Sequence, residues 1–342
     1  MKLIIQIPCF NEQRTLPVTL AALPRELDGI DEVEWLVVDD GSGDDTVKVA
    51  QRLGVDHVVR LPRNRGLAAA FVAGLEACVD AGADIVVNTD ADNQYSAEDI
   101  PALIRPILEG RAQIVVGERP IADTPQFSPL KKALQRLGSW VVRRVSGTTV
   151  PDSPSGFRAM TREAAQRLKV FNRYSYTLET VIQAGHKGMA ITSVPVRTNP
   201  TLRPSRLFRN SAEYMARQAM VITRIFMTYR PFAFFAVPGL LLFFSGFGIG
   251  LRFMYFFVQE GGAGRVQSLI LAALLLGTGF FLVVVGLLAD LASVNRTLLE
   301  GLDWRLRKME DARREAAENP EGGPGAARGG EAGRDSRGGR TP

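Results

Sequence analysis

The 342-residue sequence contains only two cysteines and two histidines, which excludes several classes of site. Cys9 and Cys78 form no CxxC motif, and so few cysteines are typical of a protein whose soluble part stays in the reduced cytosol. His57 and His186 lie far apart in the sequence and lack the spacing of metal ligands. We therefore expect neither a histidine-based zinc site nor a catalytic triad.

The sequence also lacks a strong charge bias and the common nucleotide-binding motifs. Its 41 basic and 36 acidic residues give a net charge of +5, which offers little support for nucleic-acid binding. It contains no P-loop, and PCFNE follows the first predicted strand where a dinucleotide-binding fold has a glycine-rich turn. An EF-hand loop starting at Asp90 is excluded because Tyr95 and Pro101 replace the required glycine and glutamate.

The first 120 residues alternate short apolar runs with helical patterns, which predicts βαβ units and a mostly parallel sheet. The predicted strands are residues 3–7, 34–38, 57–61, 85–88 and 113–117, and the predicted helices are residues 13–27, 46–53, 66–81 and 98–108. Farther along the chain we expect helices at 131–145 and 176–184 and a strand at 190–196.

Three polar segments each follow a predicted strand: PCFNE (8–12), DDGS (39–42) and DADNQ (90–94). In open α/β sheets, ligands bind in the crevice beyond the carboxyl ends of the strands. We therefore expect the three segments to line one cleft.

The segment DADNQ combines two carboxylates with an amide. Asp90 and Asp92 are two residues apart, and two like charges so close together are unfavourable unless a cation lies between them. With Gln94 they form an all-oxygen set that suits Mg²⁺ or Mn²⁺ shared with substrate phosphates. Taken alone, the motif is also compatible with a solvated turn that has helix-capping acids.

Two long apolar runs follow the α/β pattern, at 232–258 and 268–292. Each exceeds the roughly 20 residues needed to cross the hydrocarbon core of a bilayer, so a transmembrane hairpin is predicted within 232–292. Residues 211–230 have an amphipathic pattern, typical of a helix lying on the membrane interface. A helix packed on the preceding domain is the alternative for that segment.

Basic residues flank the apolar runs on both sides, whereas the connecting loop has a single arginine. The positive-inside rule then predicts a multi-pass protein of the cytoplasmic (inner) membrane, with both termini in the cytoplasm. The domain at 1–210 is accordingly expected to be cytoplasmic. Residues 293–342 are expected to form a basic, largely disordered cytoplasmic tail, because their end is rich in Gly, Arg, Glu and Pro.

The motifs IPCFNE, VVDDGSGDDT, NRG and TDADNQY occur in this order over the first 120 residues. In sequence and separation they resemble those of the family 2 glycosyltransferases. The resemblance implies an α/β fold of the GT-A type, and the apolar hairpin narrows it to a polyprenyl-phosphate branch similar to dolichol-phosphate mannose synthase. Such enzymes transfer a hexose from a UDP- or GDP-linked sugar to polyprenyl phosphate, with inversion.

The resemblance also implies roles for individual residues. The expected contacts to base and ribose are Pro8, Asn11, Glu12, Asp39 and Asp40. The expected ligands of Mg²⁺ or Mn²⁺ are Asp90, Asp92 and Gln94, with Asp92 also counted as catalytic. The cation would neutralise the diphosphate as it leaves.

A phosphate acceptor explains why no general base is apparent, since a phosphate monoester is already ionised at neutral pH. It needs cations instead, and a guanidinium suits bidentate phosphate contact. The expected acceptor residues are Arg119 in GERP and Arg203, Ser205 and Arg206 in RPSRLFRN, with Arg119 and Arg206 counted as catalytic. The alternative for 203–209 is an anchor on anionic lipid. The segment DSPSGFR (152–158) resembles one near the family's acceptor side, where we expect a structural role for Gly156 and Phe157.

Two other functions fit parts of the pattern. A transferase that acts on a sugar hydroxyl, such as a processive polysaccharide synthase, would carry a QxxRW motif, which the sequence lacks. A non-catalytic membrane-anchored binding module predicts a damaged metal motif, whereas DADNQ is intact. The predicted partners are a nucleotide sugar, polyprenyl phosphate and the lipid bilayer. A homo-oligomer is compatible with this interpretation, and nucleic acid is not.

Overall fold

The computed structural model describes residues 1–120, 129–168, 170, 176–200, 220, 223–224, 226–260 and 266–318. The predicted acceptor residues Arg203, Ser205 and Arg206 lie outside the described residues, as do most of the predicted interfacial helix and the end of the tail. The chain divides into two compact units, Met1–Ser293 and Val294–Pro342. The described part of the second unit, 294–318, is helical.

Seven strands form one mixed sheet in the first unit. They are β1 Lys2–Cys9, β2 Glu32–Asp39, β3 His57–Arg60, β4 Ile85–Asn88, β5 Ile114–Glu118, β6 Arg158–Thr161 and β7 Ile191–Pro195. Their order in the sheet is β3-β2-β1-β4-β6-β5-β7. Only β6 is antiparallel to its neighbours, β4 and β5, and the other four pairings are parallel. The expectation of a mostly parallel α/β fold is confirmed.

Nine α-helices have both ends within the described residues. They are α1 Leu16–Ala22, α2 Thr46–Arg52, α3 Leu67–Asp80, α4 Ile100–Leu108, α5 Pro129–Ser146, α6 Arg162–Arg167, α7 Tyr176–His186, α8 Pro231–Glu260 and α9 Val266–Glu318.

Helices α1 and α9 differ in length from the sequence-based expectation. The helix predicted at 13–27 ends at Ala22, because Leu23 is extended (ψ 136°) before Pro24, and a proline disfavours helical backbone in the residue before it. Helix α9 instead continues to Glu318, so residues 293–318 are helical where a largely disordered tail was expected. This stretch has no proline and is rich in Leu, Arg, Glu and Ala, which are good helix formers.

The sheet is buried on both faces, as parallel sheets usually are. Successive side chains of β1 point to opposite faces, so Leu3, Ile5 and Ile7 join one hydrophobic cluster and Ile4 joins the other. Each cluster includes side chains of the helices that cover its face. Because both faces of the sheet are buried, the ends of its strands are held in place.

Helices α8 and α9 contain the two long apolar runs. Segments Pro231–Gln259 and Val266–Arg296 have mean hydropathies of 2.0 and 2.6, and both are long and apolar enough to cross a membrane. The two helices approach closely at glycines, since a Cβ added to Gly279 would lie 2.6 Å from the Gly239 carbonyl oxygen. Most of their large side chains are exposed in the isolated chain, for example Leu274 at 65%.

The segment that leads into α8 is packed on the domain. The Tyr229 hydroxyl donates to Glu179 Oε1 of α7 at 3.5 Å, and the Tyr229 ring stacks on His186 with centroids 5.3 Å apart. Phe226 packs against the same hydrophobic cluster as α7. This end of the predicted interfacial helix therefore matches the alternative of a segment packed on the domain.

We predict that Gly279→Ala destabilises the pairing of α8 with α9. The added methyl group would meet the Gly239 carbonyl oxygen and the Phe243 backbone nitrogen at 2.6 Å, and overpacking of this kind costs about 1–3 kcal/mol. Gly277→Ala is the matched control, because no described atom lies within 4 Å of a Cβ at Gly277. Thermal unfolding of the purified chain in detergent should show a lower midpoint for Gly279→Ala alone. Equal midpoints would contradict the close packing.

Candidate active site

The three polar segments predicted to share a cleft follow three neighbouring strands. Strand β1 lies between β2 and β4 and runs parallel to both, with Cys9 opposite Asp39. Parallel strands have their carboxyl ends at one edge of the sheet, so segments 8–12, 39–42 and 90–94 all lie at that edge.

Asn11 connects the first two of these segments. Its backbone N–H donates to Ser42 Oγ at 2.9 Å, and the Gly43 N–H donates to Asn11 Oδ1 at 2.8 Å. Its φ of 56° is in the left-handed region, which asparagine tolerates better than most residues. The predicted nucleoside contact Pro8 is buried within β1. The hydrogen bond from Gly43 means that the Asn11 side-chain oxygen stabilises the conformation of the loop.

Glu12, at the end of the first segment, and Asp39, at the start of the second, are both buried. The Glu12 N–H donates to Thr46 Oγ1 at 2.9 Å. Asp39 Oδ1 accepts from the Ser42 N–H at 3.2 Å, whereas Asp39 Oδ2 is buried and accepts no hydrogen bond from a described residue. It lies 3.7 Å from Arg60 Nε. A buried carboxylate oxygen with unused lone pairs at a strand end is suited to accept a hydrogen bond from a ligand.

The Asp40 carboxylate stabilises the loop that precedes α3. Its two carboxylate oxygens accept from the backbone N–H groups of Arg65 at 2.7 Å and Gly66 at 2.9 Å, just before α3 begins. A Cβ added to Gly41 would lie 2.5–2.7 Å from backbone atoms of Arg63 and Asn64. The structure therefore gives Asp40 a loop-holding contact, and its predicted contact to base or ribose stays a prediction.

Asp90 and Asp92 follow β4 at the same edge. The Gln94 N–H donates to Asp92 Oδ1 at 3.2 Å, and Asn93 between them has a left-handed φ of 56°. Burial, and then the charge of Asp92, raise the pKa of Asp90 to about 7. No donor among the described residues forms a hydrogen bond to the Asp90 carboxylate. Two carboxylates that are costly to ionise side by side fit a divalent cation.

The described residues supply only part of a metal coordination shell. Within the described ranges, no three His, Cys, Asp or Glu side chains lie close enough together to hold a metal ion. Mg²⁺ and Mn²⁺ typically take about six oxygen ligands, so two carboxylates and an amide leave several positions for substrate oxygens and water. The donor set thus fits a cation that is shared with a diphosphate.

Gly156 lies directly against Asp90. A Cβ added to Gly156 would lie 3.2 Å from both Asp90 carboxylate oxygens and 2.9 Å from the Tyr176 hydroxyl oxygen. The Gly156 N–H donates to the Tyr95 hydroxyl at 2.9 Å, and its carbonyl oxygen accepts from Asn88 Nδ2 at 2.7 Å. Sequence reasoning assigned no role to Asn88, Tyr95 or Tyr176. Asn88 and Tyr95 are near Asp90 in sequence, but only the fold brings Tyr176 and Gly156 to them.

Arg119 is paired with Asp152. Its Nε donates to Asp152 Oδ2 at 2.7 Å and its Nη2 to Asp152 Oδ1 at 3.0 Å, a bidentate ion pair. The Asp152 side chain is 1% exposed, and the charge of Arg119 acts to lower the pKa of Asp90. Arg119 is therefore held in a fixed orientation near the predicted metal ligands. Its predicted role toward phosphate stays a prediction.

Arg158, the last residue of the segment 152–158, is fully buried. Its guanidinium donates to the carbonyl oxygens of Ser155 at 2.8 Å and Ser153 at 2.7 Å, and to Thr180 Oγ1 of α7. Burial lowers its pKa to about 10, which leaves the group charged at neutral pH. Phe157 is also buried, and its ring stacks on Tyr95 with centroids 5.1 Å apart. Gly156 and Phe157 thus pack against Tyr95 beside Asp90, which fits the structural role expected for them.

The architecture is shared with solved structures of the GT-A type. The chain superimposes with a TM-score of 0.53 on glucosyl-3-phosphoglycerate synthase from Mycobacterium tuberculosis, crystallised with Mn²⁺, UDP and glucosyl-3-phosphoglycerate. The match covers 66% of this chain and 78% of that chain at 23% identity, which shows the fold alone. The fold is thus of the GT-A type.

Sequence comparison gives the family. Residues 4–169 match the profile of Glycosyl transferase family 2. The chain is 31% identical to the UDP-N-acetylglucosamine–dolichyl-phosphate N-acetylglucosaminyltransferase of Methanococcus voltae, over 56% of this chain and 83% of the relative. It is 26% identical to the polyprenol monophosphomannose synthase of Mycolicibacterium smegmatis, over 56% and 76%. The chain belongs to glycosyl transferase family 2.

We predict that Gly41→Ala disrupts the loop held by Asp40. Gly41 has a φ of 70°, and a left-handed non-glycine residue costs about 1–2 kcal/mol before any clash with the 63–64 backbone is counted. Gly54→Ala is a matched control, because Gly54 has a φ of 72° and no described atom within 4 Å of an added Cβ. Thermal unfolding should show a larger loss for Gly41→Ala. Equal losses would mean that the loop yields to the methyl group.

We predict that Asp152→Asn destabilises the domain by about 3 kcal/mol, since removing one partner of a buried ion pair leaves the other charge uncompensated. The control is Glu109→Gln, which breaks exposed pairs with Arg105 and Arg111 and should change stability by less than about 1 kcal/mol. Denaturant unfolding of both variants measures the difference. A loss for Asp152→Asn as small as that of the control would contradict the buried pairing.

Proposed function

We propose that this family 2 glycosyltransferase moves a hexose from a UDP- or GDP-linked sugar to polyprenyl phosphate in a bilayer. The observation that carries the proposal is the meeting of three elements at one sheet edge. These are the polar segments after β1 and β2, the carboxylate pair after β4, and the fixed guanidinium of Arg119. The relatives named for transfer to dolichyl phosphate and polyprenol phosphate support the same acceptor class.

The donor would occupy the cleft from the nucleoside side to the carboxylate pair. Asp39 Oδ2, which is buried and accepts no hydrogen bond from a described residue, is suited to accept one from the base or ribose. Asp90, Asp92 and Gln94 would hold Mg²⁺ or Mn²⁺. When bound, such a cation neutralises charge on the diphosphate that leaves.

The acceptor would react without a general base. A nonbonding electron pair of an ionised phosphate oxygen forms the new bond to the anomeric carbon, and the bond from that carbon to the donor diphosphate breaks with its electrons. A single displacement of this kind inverts the anomeric configuration. Arg119, oriented by Asp152, can attract the acceptor phosphate toward a site that is otherwise rich in carboxylates. Arg203, Ser205 and Arg206 remain proposed partners of that phosphate.

Helices α8 and α9 would keep the enzyme at the membrane, where a polyprenyl phosphate presents its headgroup. Their length and hydropathy support insertion as a hairpin, and most of their large apolar side chains are exposed in the isolated chain. The distribution of basic residues supports a cytoplasmic catalytic domain and cytoplasmic termini.

We predict that the purified chain labels lipid. The assay combines the protein in detergent, Mn²⁺ or Mg²⁺, a polyprenyl phosphate, and radiolabelled UDP- and GDP-sugars tested one at a time. Label should enter the organic phase, and EDTA should abolish the transfer. Asp92→Ala should lower the rate by at least about 100-fold, since loss of a metal ligand removes several kcal/mol of charge stabilisation.

Asp28→Ala is the matched control for the carboxylate substitution. Asp28 is exposed and lies in the turn before β2, at the opposite edge of the sheet, so this variant should keep the parent rate. Label that appears in a polymer or on a sugar hydroxyl, with none in the lipid, would contradict the phosphate acceptor. A full rate for Asp92→Ala would contradict the metal site.

A further inference from the structure

The Tyr176 hydroxyl and the Asp90 carboxylate lie on the same side of Gly156. A Cβ added to that glycine would lie 2.9 Å from the hydroxyl oxygen and 3.2 Å from both carboxylate oxygens. Both groups therefore lie next to the position that a side chain at residue 156 would occupy, and the absence of one in Gly156 leaves that position open. Tyr176 is the first residue of α7, and nothing in its sequence context marks it as part of the site.

The position of the Tyr176 ring is fixed by its neighbours. The ring is 1% exposed and stacks on Phe71 of α3, with centroids 3.9 Å apart and an interplanar angle of 14°. Its hydroxyl accepts a hydrogen bond from Asn88 Nδ2 at 3.0 Å. Asn88 is held in turn by Gln6 of β1, whose Nε2 donates to Asn88 Oδ1 at 2.8 Å. A line of buried polar groups thus runs from β1 through β4 to the hydroxyl.

These hydrogen bonds leave the proton of the Tyr176 hydroxyl available for donation. Asn88 already donates to the hydroxyl oxygen, so the phenolic proton points elsewhere. A phenolic hydroxyl keeps its proton at neutral pH. Among the described residues, no acceptor forms a hydrogen bond with this proton. The Asp90 carboxylate lies beside the hydroxyl at Gly156 and receives no hydrogen bond from the described residues, so it is the acceptor that the geometry offers.

We propose that Tyr176 is a positioning residue for the metal site. When a cation is bound, its hydroxyl, oriented by Asn88, would donate to the Asp90 carboxylate and fix which oxygen faces the cation. This inference rests on the proposed function, because it assumes that Asp90 is a metal ligand. Partners of metal ligands act in this way in many proteins, and their removal typically weakens metal binding by about 10- to 100-fold.

The test is Tyr176→Phe, which removes the hydroxyl and keeps the ring against Phe71. Mn²⁺ is titrated into the full chain in detergent at neutral pH, with UDP and separately with GDP present, and free Mn²⁺ is measured by electron paramagnetic resonance. The dissociation constant for Mn²⁺ should rise at least about tenfold relative to the parent chain. Thermal unfolding in EDTA measures the loss of stability of each variant separately.

Tyr229→Phe is the matched control, because it removes a hydroxyl that also bonds to α7, at Glu179, away from Asp90. A structural effect alone would lower the unfolding midpoint of both variants and leave Mn²⁺ affinity unchanged in both. Unchanged affinity in Tyr176→Phe, beside a parent chain that binds Mn²⁺, would overturn the positioning role and leave the proposed function standing.

Two further variants keep the outcomes distinct. Asp92→Ala should abolish the Mn²⁺ binding, and a parent chain that binds no more Mn²⁺ than Asp92→Ala would overturn the metal site and this inference together. If Tyr176→Phe does not fold, Gly156→Ala replaces it, since its methyl group would press on both the hydroxyl and the carboxylate. Its Mn²⁺ affinity should also fall about tenfold or more, and an unchanged value would overturn the proposal.

Discussion

The parallel pairing of β1 with both β2 and β4 is the constraint on which the site depends. It places the ends of three strands side by side, so that loops separated by 30 to 80 residues in sequence meet at one edge. The pairing persists because β1 is buried on both faces, with alternate side chains in the two hydrophobic clusters. A sheet supported in this way holds carboxylates where an isolated loop would let them separate.

Glycine and buried arginine have complementary roles around these carboxylates. Gly41 and Gly156 allow close contact at the points where a side chain would separate Asp40 from its loop or fill the space beside Asp90. Arg119 and Arg158 lie beneath the same region, and each is tied to the segment 152–158 by hydrogen bonds. The guanidinium groups of Arg119 and Arg158 thus lie close enough to act on the Asp90 carboxylate, a distribution that suits an anionic ligand bridged by a cation.

Much of the fold was predictable from the sequence, because the strands of the first 120 residues are short apolar runs between clear turn signals. The fold class and the family are confirmed, and the grouping of the three polar segments follows from the topology. Strand β6 was missed, since its four residues, RAMT, carry no alternation and pair with strands distant in sequence. The roles assigned to individual site residues stay predictions.

What sequence reasoning missed in the site is a set of long-range contacts. The bidentate pairing of Arg119 with Asp152 joins residues 33 positions apart, and the bond from Asn88 to Tyr176 joins residues 88 apart. No local pattern records such contacts. Arg203, Ser205 and Arg206 lie outside the described residues, and their roles rest on the resemblance alone.

Helix α7 contacts both the candidate active site and the segment that leads into the apolar hairpin. Helix α7 begins with Tyr176 beside Asp90 and ends with His186 against Tyr229, one residue before the Arg230 that precedes α8. In the proposed membrane arrangement, one short helix therefore connects the start of the hairpin to the reaction centre. The 11 residues of α7 extend over about 16 Å, which is the separation that this helix sets between the Tyr229 contact and the start of the helix beside Asp90.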